Sequence, residues 1–222
     1  MVTKRDEFIP GTVWTPELIR ESVDRMLATL ASPEMQQAME HAAESDPASA
    51  AADFAGLTVA SSPRSTAPID LARCIFRRAR PDDVPRIAEM MIAEDLPPLF
   101  IEEWLPGFAV VEHDDEVIGC GGAEIYDDCC VIRSIAVDAR ARKLGLARAI
   151  TDLLIADARA EGVNDAYLFT VDAYPFWMRL GFADVALDAW KMPPRQGWQY
   201  MFVSTHPGAV EGVHSMWKRI DG

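Results

Sequence analysis

The residues whose types and spacing point most directly to chemistry lie in the stretch IRSIAVDARARKLGLARAI, positions 132 to 150. Its apolar start predicts a buried strand. A short polar loop follows, in which Arg140, Arg142 and Lys143 put three cations within four residues. Gly145 then stands at the mouth of an amphipathic helix, with Leu146, Ile150, Leu153, Leu154 and Ala158 on one face and Gly162 at its end. A helix start offers unpaired N–H groups and partial positive charge, and a glycine there lets a phosphate approach the main chain closely. The pattern suits capture of an anionic ligand. An ordinary strand–loop–helix junction with a solvated basic loop is the plain alternative, and the stretch alone leaves both open.

The rest of the chain sharpens the contrast. Its 222 residues carry a net charge of −14, which argues against nucleic acid or an acidic membrane as the main partner, because both need a cationic surface. An anionic cofactor therefore needs a local device. No apolar run approaches the roughly 18 residues of a membrane span. The opening MVTKRDEFIPGTVW lacks the apolar stretch of a secretion signal, so a cytoplasmic location is expected. Cys74, Cys120, Cys129 and Cys130 show no C-x-x-C spacing and read as buried free thiols; no metal site is expected.

Other elements must hold the basic loop in place. Residues 1–70 read as a helical extension plus linker: Thr15-Pro16-Glu17, Ser32-Pro33-Glu34 and Asp46-Pro47-Ala48 each set a capping side chain before a proline. Ile19, Val23, Met26, Leu27 and Leu30 make an apolar stripe that must pack on something, the main domain or a second copy. Positions 56–70 have the composition of a linker. From 71 to 222 strand and helix patterns alternate. Residues 73–79 read as a strand and the stretch after Pro81 as a helix. FAVVEHDDEVIGCGGAEIY reads as a hairpin whose polar turn leaves His113 exposed. CCVIRSIAV and DAYLFTV read as buried strands, 175–180 as a short helix, and WQYMFVS as a last strand. A mixed α/β domain with a central sheet follows.

Arg142-Lys143-Leu144-Gly145-Leu146-Ala147 fits the R-x-x-G-x-G/A signature of the GNAT superfamily of N-acetyltransferases, after a strand ending Ile135-Ala136-Val137. IFRRARPDDVPRIAEMM resembles that family's opening strand and helix, and Leu180-Gly181-Phe182 its closing L-G-F. The resemblance covers residues 73 to 205 and is strongest to arsenic-resistance N-acetyltransferases and the acetyltransferase domain of N-acetylglutamate synthases. Two positions depart from the pattern: Ala139 stands where a proline is common and Lys143 where a glycine often follows the arginine.

The resemblance implies a mixed, mostly antiparallel sheet flanked by helices, an acetyl-CoA cosubstrate, and direct transfer to the amine of a small, amino-acid-like acceptor. It implies that main chain of Ile135, Ala136 and Val137 pairs with the pantetheine arm, and that N–H groups of Arg142, Lys143, Leu144, Gly145, Leu146 and Ala147 hold the pyrophosphate. Phe176, Trp177 and Arg179 join the cofactor side, the first two as an apolar wall around the acetyl group. Family habit and the apolar stripe favour a homodimer.

For the acceptor's proton, Glu124 is the candidate base, on the strand beside the cofactor strand; a paired structural Glu is the alternative. Val131 stands where relatives often carry a base. Arg133, between apolar neighbours, needs a partner, either a substrate carboxylate or an internal acid. Glu94 and Asp95 fall in a loop that borders the acceptor in the family, unless they are simply solvated. Trp177 occupies the position four before Gly181 where many relatives place a proton-donating Tyr. An indole N–H has no useful acidity, so Tyr174, one turn earlier, is the candidate donor, against a packing role. A rival reading is a catalytically weak acetyl-CoA sensor or scaffold.

Overall fold

The computed structural model describes residues 67–94, 96, 98–191, 197–205 and 212–221. The helix starts expected near positions 15, 32 and 46, and the apolar stripe between 19 and 30, lie outside the described residues. Among the described residues seven strands form one sheet in the order β1-β2-β3-β4-β5-β7-β6: β1 (Cys74–Arg78), β2 (Phe108–His113), β3 (Glu116–Ile125), β4 (Cys129–Val137), β5 (Asp165–Thr170), β6 (Ala183–Asp184) and β7 (His214–Arg219). Registered pairings are antiparallel except that of β4 with β5, as expected for the mixed, mostly antiparallel sheet. Among the described residues four α-helices lie in the connections: α1 (Val84–Ile92), α2 (Leu146–Ala160), α3 (Tyr174–Arg179) and α4 (Trp198–Thr205).

The described chain divides into two compact units, one of residues 67–122 and 134–154, the other of 123–133 and 155–221. In the first, β2 and β3 turn over Asp114 and Asp115, both at positive φ (52° and 63°), the conformation of a tight primed hairpin turn. α1 buries Ile87, Met90 and Met91. Ahead of it, Asp83 accepts from Arg80 N at 2.7 Å and from both ends of the Arg77 fork at 2.7 and 2.9 Å. Close packing in this unit depends on Gly121: a Cβ there would sit 2.7 Å from Ile150 Cγ2 and against Ile135, so no larger residue lets α2 lie this near β3.

In the second unit Trp190 stacks on Tyr167 and Phe169, each at 4.6 Å between ring centroids, beside Tyr200 of α4. Asp165, at the start of β5, accepts from Trp217 Nε1 at 2.9 Å and pairs with Lys191 and Arg219.

Two expectations fail. Residues 198–204 are helical, and the last strand is His214–Arg219. A short aromatic run has no period that separates helix from strand, and tertiary contacts decide it here: the Tyr200 hydroxyl donates to Leu187 O at 2.9 Å. His113 is buried, because Asp70, just before β1, donates its N–H to His113 Nε2 at 3.1 Å.

Candidate active site

β4 carries the first part of the site. Its registered pairs with β5 run from Cys129↔Asp165 to Val131↔Tyr167 and stop well before the strand does. Ser134 then takes φ 57°, a left-handed conformation uncommon for a non-glycine residue. Ile135, Ala136 and Val137 follow it. A left-handed residue takes the main chain out of regular strand geometry, and extended main chain can pair with a strand-like ligand.

Asp138 opens the loop. Its side chain accepts from Arg140 N at 3.0 Å and caps a 3₁₀ turn over Ala139–Ala141. Arg142, Lys143, Leu144 and Gly145 are all exposed before α2 begins at Leu146. Gly145 has φ 83° and open space where a Cβ would stand. These are the elements of an anion cradle: exposed main chain at a helix start, with a glycine where the backbone turns.

The three loop cations differ in setting. Arg140 is held by Asp138 and by Glu116, at 3.0 and 2.8 Å. Arg142 pairs with Glu94 at the surface. Lys143, at φ 65°, has no carboxylate partner among the described residues. Asp95 lies outside the described residues.

The candidate base sits in a buried network. Arg133 Nη1 donates to Glu124 Oε1 at 2.9 Å, with both side chains at most 2% exposed. The Tyr126 hydroxyl donates to Glu124 Oε2 at 3.0 Å, and Gln199 Nε2 of α4 lies 3.4 Å from Oε1. Burial, and the charge and hydrogen bond of Glu124, push the Tyr126 hydroxyl well above its ordinary range, so it stays a donor. Glu124 and Arg133 thus hold each other, the arrangement that the paired-acid alternative for each describes. The sequence gives no sign of Tyr126, which follows the strand, or of Gln199, which lies on the helix expected to be a strand.

α3 carries the remaining candidates. Trp177 is buried, edge-on to Phe176 at 5.0 Å and to Phe182 at 5.3 Å. Tyr174 points its hydroxyl at Asp184 Oδ2, 2.7 Å away, with its ring 4.1 Å from that of His214. The bond to Asp184 raises the Tyr174 pKa. Arg179 is exposed in the last turn. Elsewhere, burial pushes the thiols of Cys120 and Cys129 up to about 12.

The model of the acetyltransferase (GNAT) family matches residues 70–182, and the chain belongs to that family of acyltransferases. The amino-acid acetyltransferase of Mycobacterium tuberculosis is 31% identical to it over 125 residues, which cover 51% of this chain and 70% of that relative. Among solved structures, the N-acetylglutamate synthase of Neisseria gonorrhoeae, complexed with coenzyme A and N-acetyl-glutamate, matches with a TM-score of 0.57 at 20% identity, over 67% of this chain and 35% of the synthase. Rv2747 of Mycobacterium tuberculosis, in complex with CoA, matches with a TM-score of 0.53 at 24% identity, over 65% of this chain and 98% of that one. These two likenesses concern the fold. The chain spans about a third of the gonococcal synthase's length.

Proposed function

We propose that this chain transfers an acetyl group from acetyl-CoA directly to the amine of a small, amino-acid-like acceptor. The observation that carries the reading is the exposed loop from Arg142 to Gly145 at the start of α2, with Gly145 at φ 83° and Lys143 beside it. The acceptor class rests on the M. tuberculosis relative, named an amino-acid acetyltransferase, and on the gonococcal synthase with its N-acetyl-glutamate.

Acetyl-CoA supplies the activated thioester. The N–H groups of Arg142 to Ala147 and the Lys143 ammonium hold its pyrophosphate, and main chain of Ile135 to Val137 aligns its pantetheine arm. An amide near Val137 offers a hydrogen bond to the thioester oxygen as negative charge develops there, typically worth ~3 kcal/mol of barrier. The buried, protonated thiols of Cys120 and Cys129 are poor nucleophiles, which supports direct attack by the amine over an acetyl-cysteine route.

Glu124 and Arg133 act as an exchangeable pair. An acceptor carboxylate takes the Arg133 fork as Gln199 turns aside. Glu124 is then released to take a proton from the acceptor's ammonium group, leaving the neutral amine that attacks.

The test is thiol release from acetyl-CoA across a panel of amino acids, including glutamate and phosphinic or arsenic-containing analogues, with amines lacking a carboxylate as controls. Turnover confined to carboxylate-bearing acceptors is expected. Thermal stabilisation by CoA with no thiol released from any acceptor would replace catalysis with sensing.

A further inference from the structure

The loop proposed to take the pyrophosphate is fixed from outside itself. Asp138, where β4 gives way to the loop, donates its N–H to Ile118 O of β3 at 2.9 Å and accepts from Ala141 N through its carbonyl at 2.8 Å. Its carboxylate receives Arg140 Nε at 3.0 Å on Oδ1 and Arg86 Nη2 at 2.7 Å on Oδ2. Arg86 belongs to α1, 52 residues earlier in the chain. It also donates from Nε to Val117 O at 3.1 Å and from Nη1 to Glu89 Oε2 at 2.8 Å. One guanidinium thus joins helix α1, strand β3 and the first residue of the loop. The side chains of Arg86 and Asp138 are only 18% and 8% exposed, so solvent screens their contact little.

Arg140 is drawn into the same network, through Asp138 and Glu116. The network therefore turns a nominal phosphate-binding cation into a structural one. Holding Arg140 fixes the main chain of residues 139–141, from which the exposed stretch 142–145 departs. Cradle amides bind an anion well only if they are aimed before it arrives, because ordering them on binding costs affinity.

We infer that Arg86 is a positioning residue for the cofactor loop: through Asp138 it sets the path of residues 139–145, and so the affinity for CoA, without touching the ligand. This rests on the reading that the loop binds CoA. Nothing in the R-x-x-G-x-A signature points to Arg86, which lies on a different element.

The test is calorimetric titration of the full chain with coenzyme A, beside amide hydrogen exchange without ligand. Losing one charge-assisted contact is expected to weaken CoA binding about tenfold in Arg86→Gln, and Arg86→Lys, which keeps the charge but cannot reach all three acceptors, is expected to weaken it less, by about threefold to fivefold. Because Arg86 and Asp138 act through one network, Arg86→Gln/Asp138→Asn is expected to bind within about twofold of the weaker single variant. Exchange of amides 139–147 is expected to rise about tenfold in Arg86→Gln, with the β2–β3 hairpin unchanged. A lower melting temperature with unaltered CoA affinity and unaltered loop exchange would reduce Arg86 to a stability role and overturn the inference. If the unsubstituted chain does not bind CoA, the functional reading fails by itself, and loop exchange still decides the clamp.

Discussion

Arg133 and Glu124 form a 2.9 Å ion pair between adjacent strands, with side chains 2% and 1% exposed. Removing one partner strands the other's charge away from water, whereas removing both charges does not. Arg133→Met alone is expected to destabilise the fold by about 3–5 kcal/mol, and Glu124→Gln/Arg133→Met to recover most of that loss. Denaturant unfolding of the single and double variants checks the ordering. A double variant as unstable as the single one would show that packing, and not charge, is what the pair supplies.

The exchange proposed for this pair has its own signature in rate. If Glu124 takes the ammonium proton, Glu124→Gln, assayed where circular dichroism shows it folded, loses about 100-fold or more in kcat. Arg133→Lys is expected to raise KM for a carboxylate-bearing acceptor about tenfold or more and to leave KM for acetyl-CoA unchanged, because a point charge replaces a planar fork. A kcat unchanged by Glu124→Gln would remove Glu124 from proton transfer.

Among the described residues Lys143 has no carboxylate partner, whereas Arg142 pairs with Glu94. Lys143→Gln is expected to weaken CoA binding about fivefold to tenfold and to flatten its salt dependence, since a charge that meets phosphate is lost. Glu94→Gln frees Arg142 from its surface partner. Such exposed pairs are worth ~0–1 kcal/mol, so binding should tighten by no more than about fivefold. Titration with CoA at two salt concentrations reads both.

Much of this fold was legible because its signals are local. Gly145 before an apolar-striped helix and the polar turn of the β2–β3 hairpin each follow from residues a few positions apart. Contacts between distant segments were not legible. Nothing near Arg86 announces Asp138, and nothing near Glu124 announces that Arg133 and Tyr126 will occupy both its oxygens. An internal acid for Arg133 and a paired role for Glu124 were both open from the sequence, but which residues would meet was not, because the partners lie on different strands. The helix at 198–205 was missed for a related reason: a short aromatic run acquires its conformation from what Tyr200 packs against.

Asp83 links pH to stability in a defined direction. Its hydrogen bond from Arg77 holds the carboxyl below its ordinary value even though burial alone would raise it. A group whose folded pKa lies below its unfolded value, about 3.9 for Asp, contributes stability above that value and loses it as pH falls through the folded pKa. Asp83→Asn is expected to cost about 1–3 kcal/mol at pH 7 and to lose less further stability than the unsubstituted chain between about pH 4 and pH 2. Unfolding curves at stepped pH decide it, and parallel losses for both proteins would show that Asp83 is not the linked group.

Trp177 occupies the place where a phenolic proton donor stands in many relatives, yet its surroundings are those of a core residue. It is 6% exposed and sits edge-on to Phe176 and Phe182. Its indole N–H donates but does not ionise near neutral pH, so it cannot supply a proton to a departing thiolate. Packing is then its contribution: Trp177→Ala is expected to cost about 3–5 kcal/mol of stability, and Trp177→Phe to keep kcat within about fivefold. Tyr174 is the paired control. Its hydroxyl proton is directed at Asp184 Oδ2, 2.7 Å away, so Tyr174→Phe should also keep kcat within about fivefold, because a thiol with a pKa near 8.5 leaves as a thiolate without a dedicated acid. A fall of several hundredfold in folded Trp177→Phe would contradict the packing role, and the same fall in Tyr174→Phe would make that hydroxyl the acid after all.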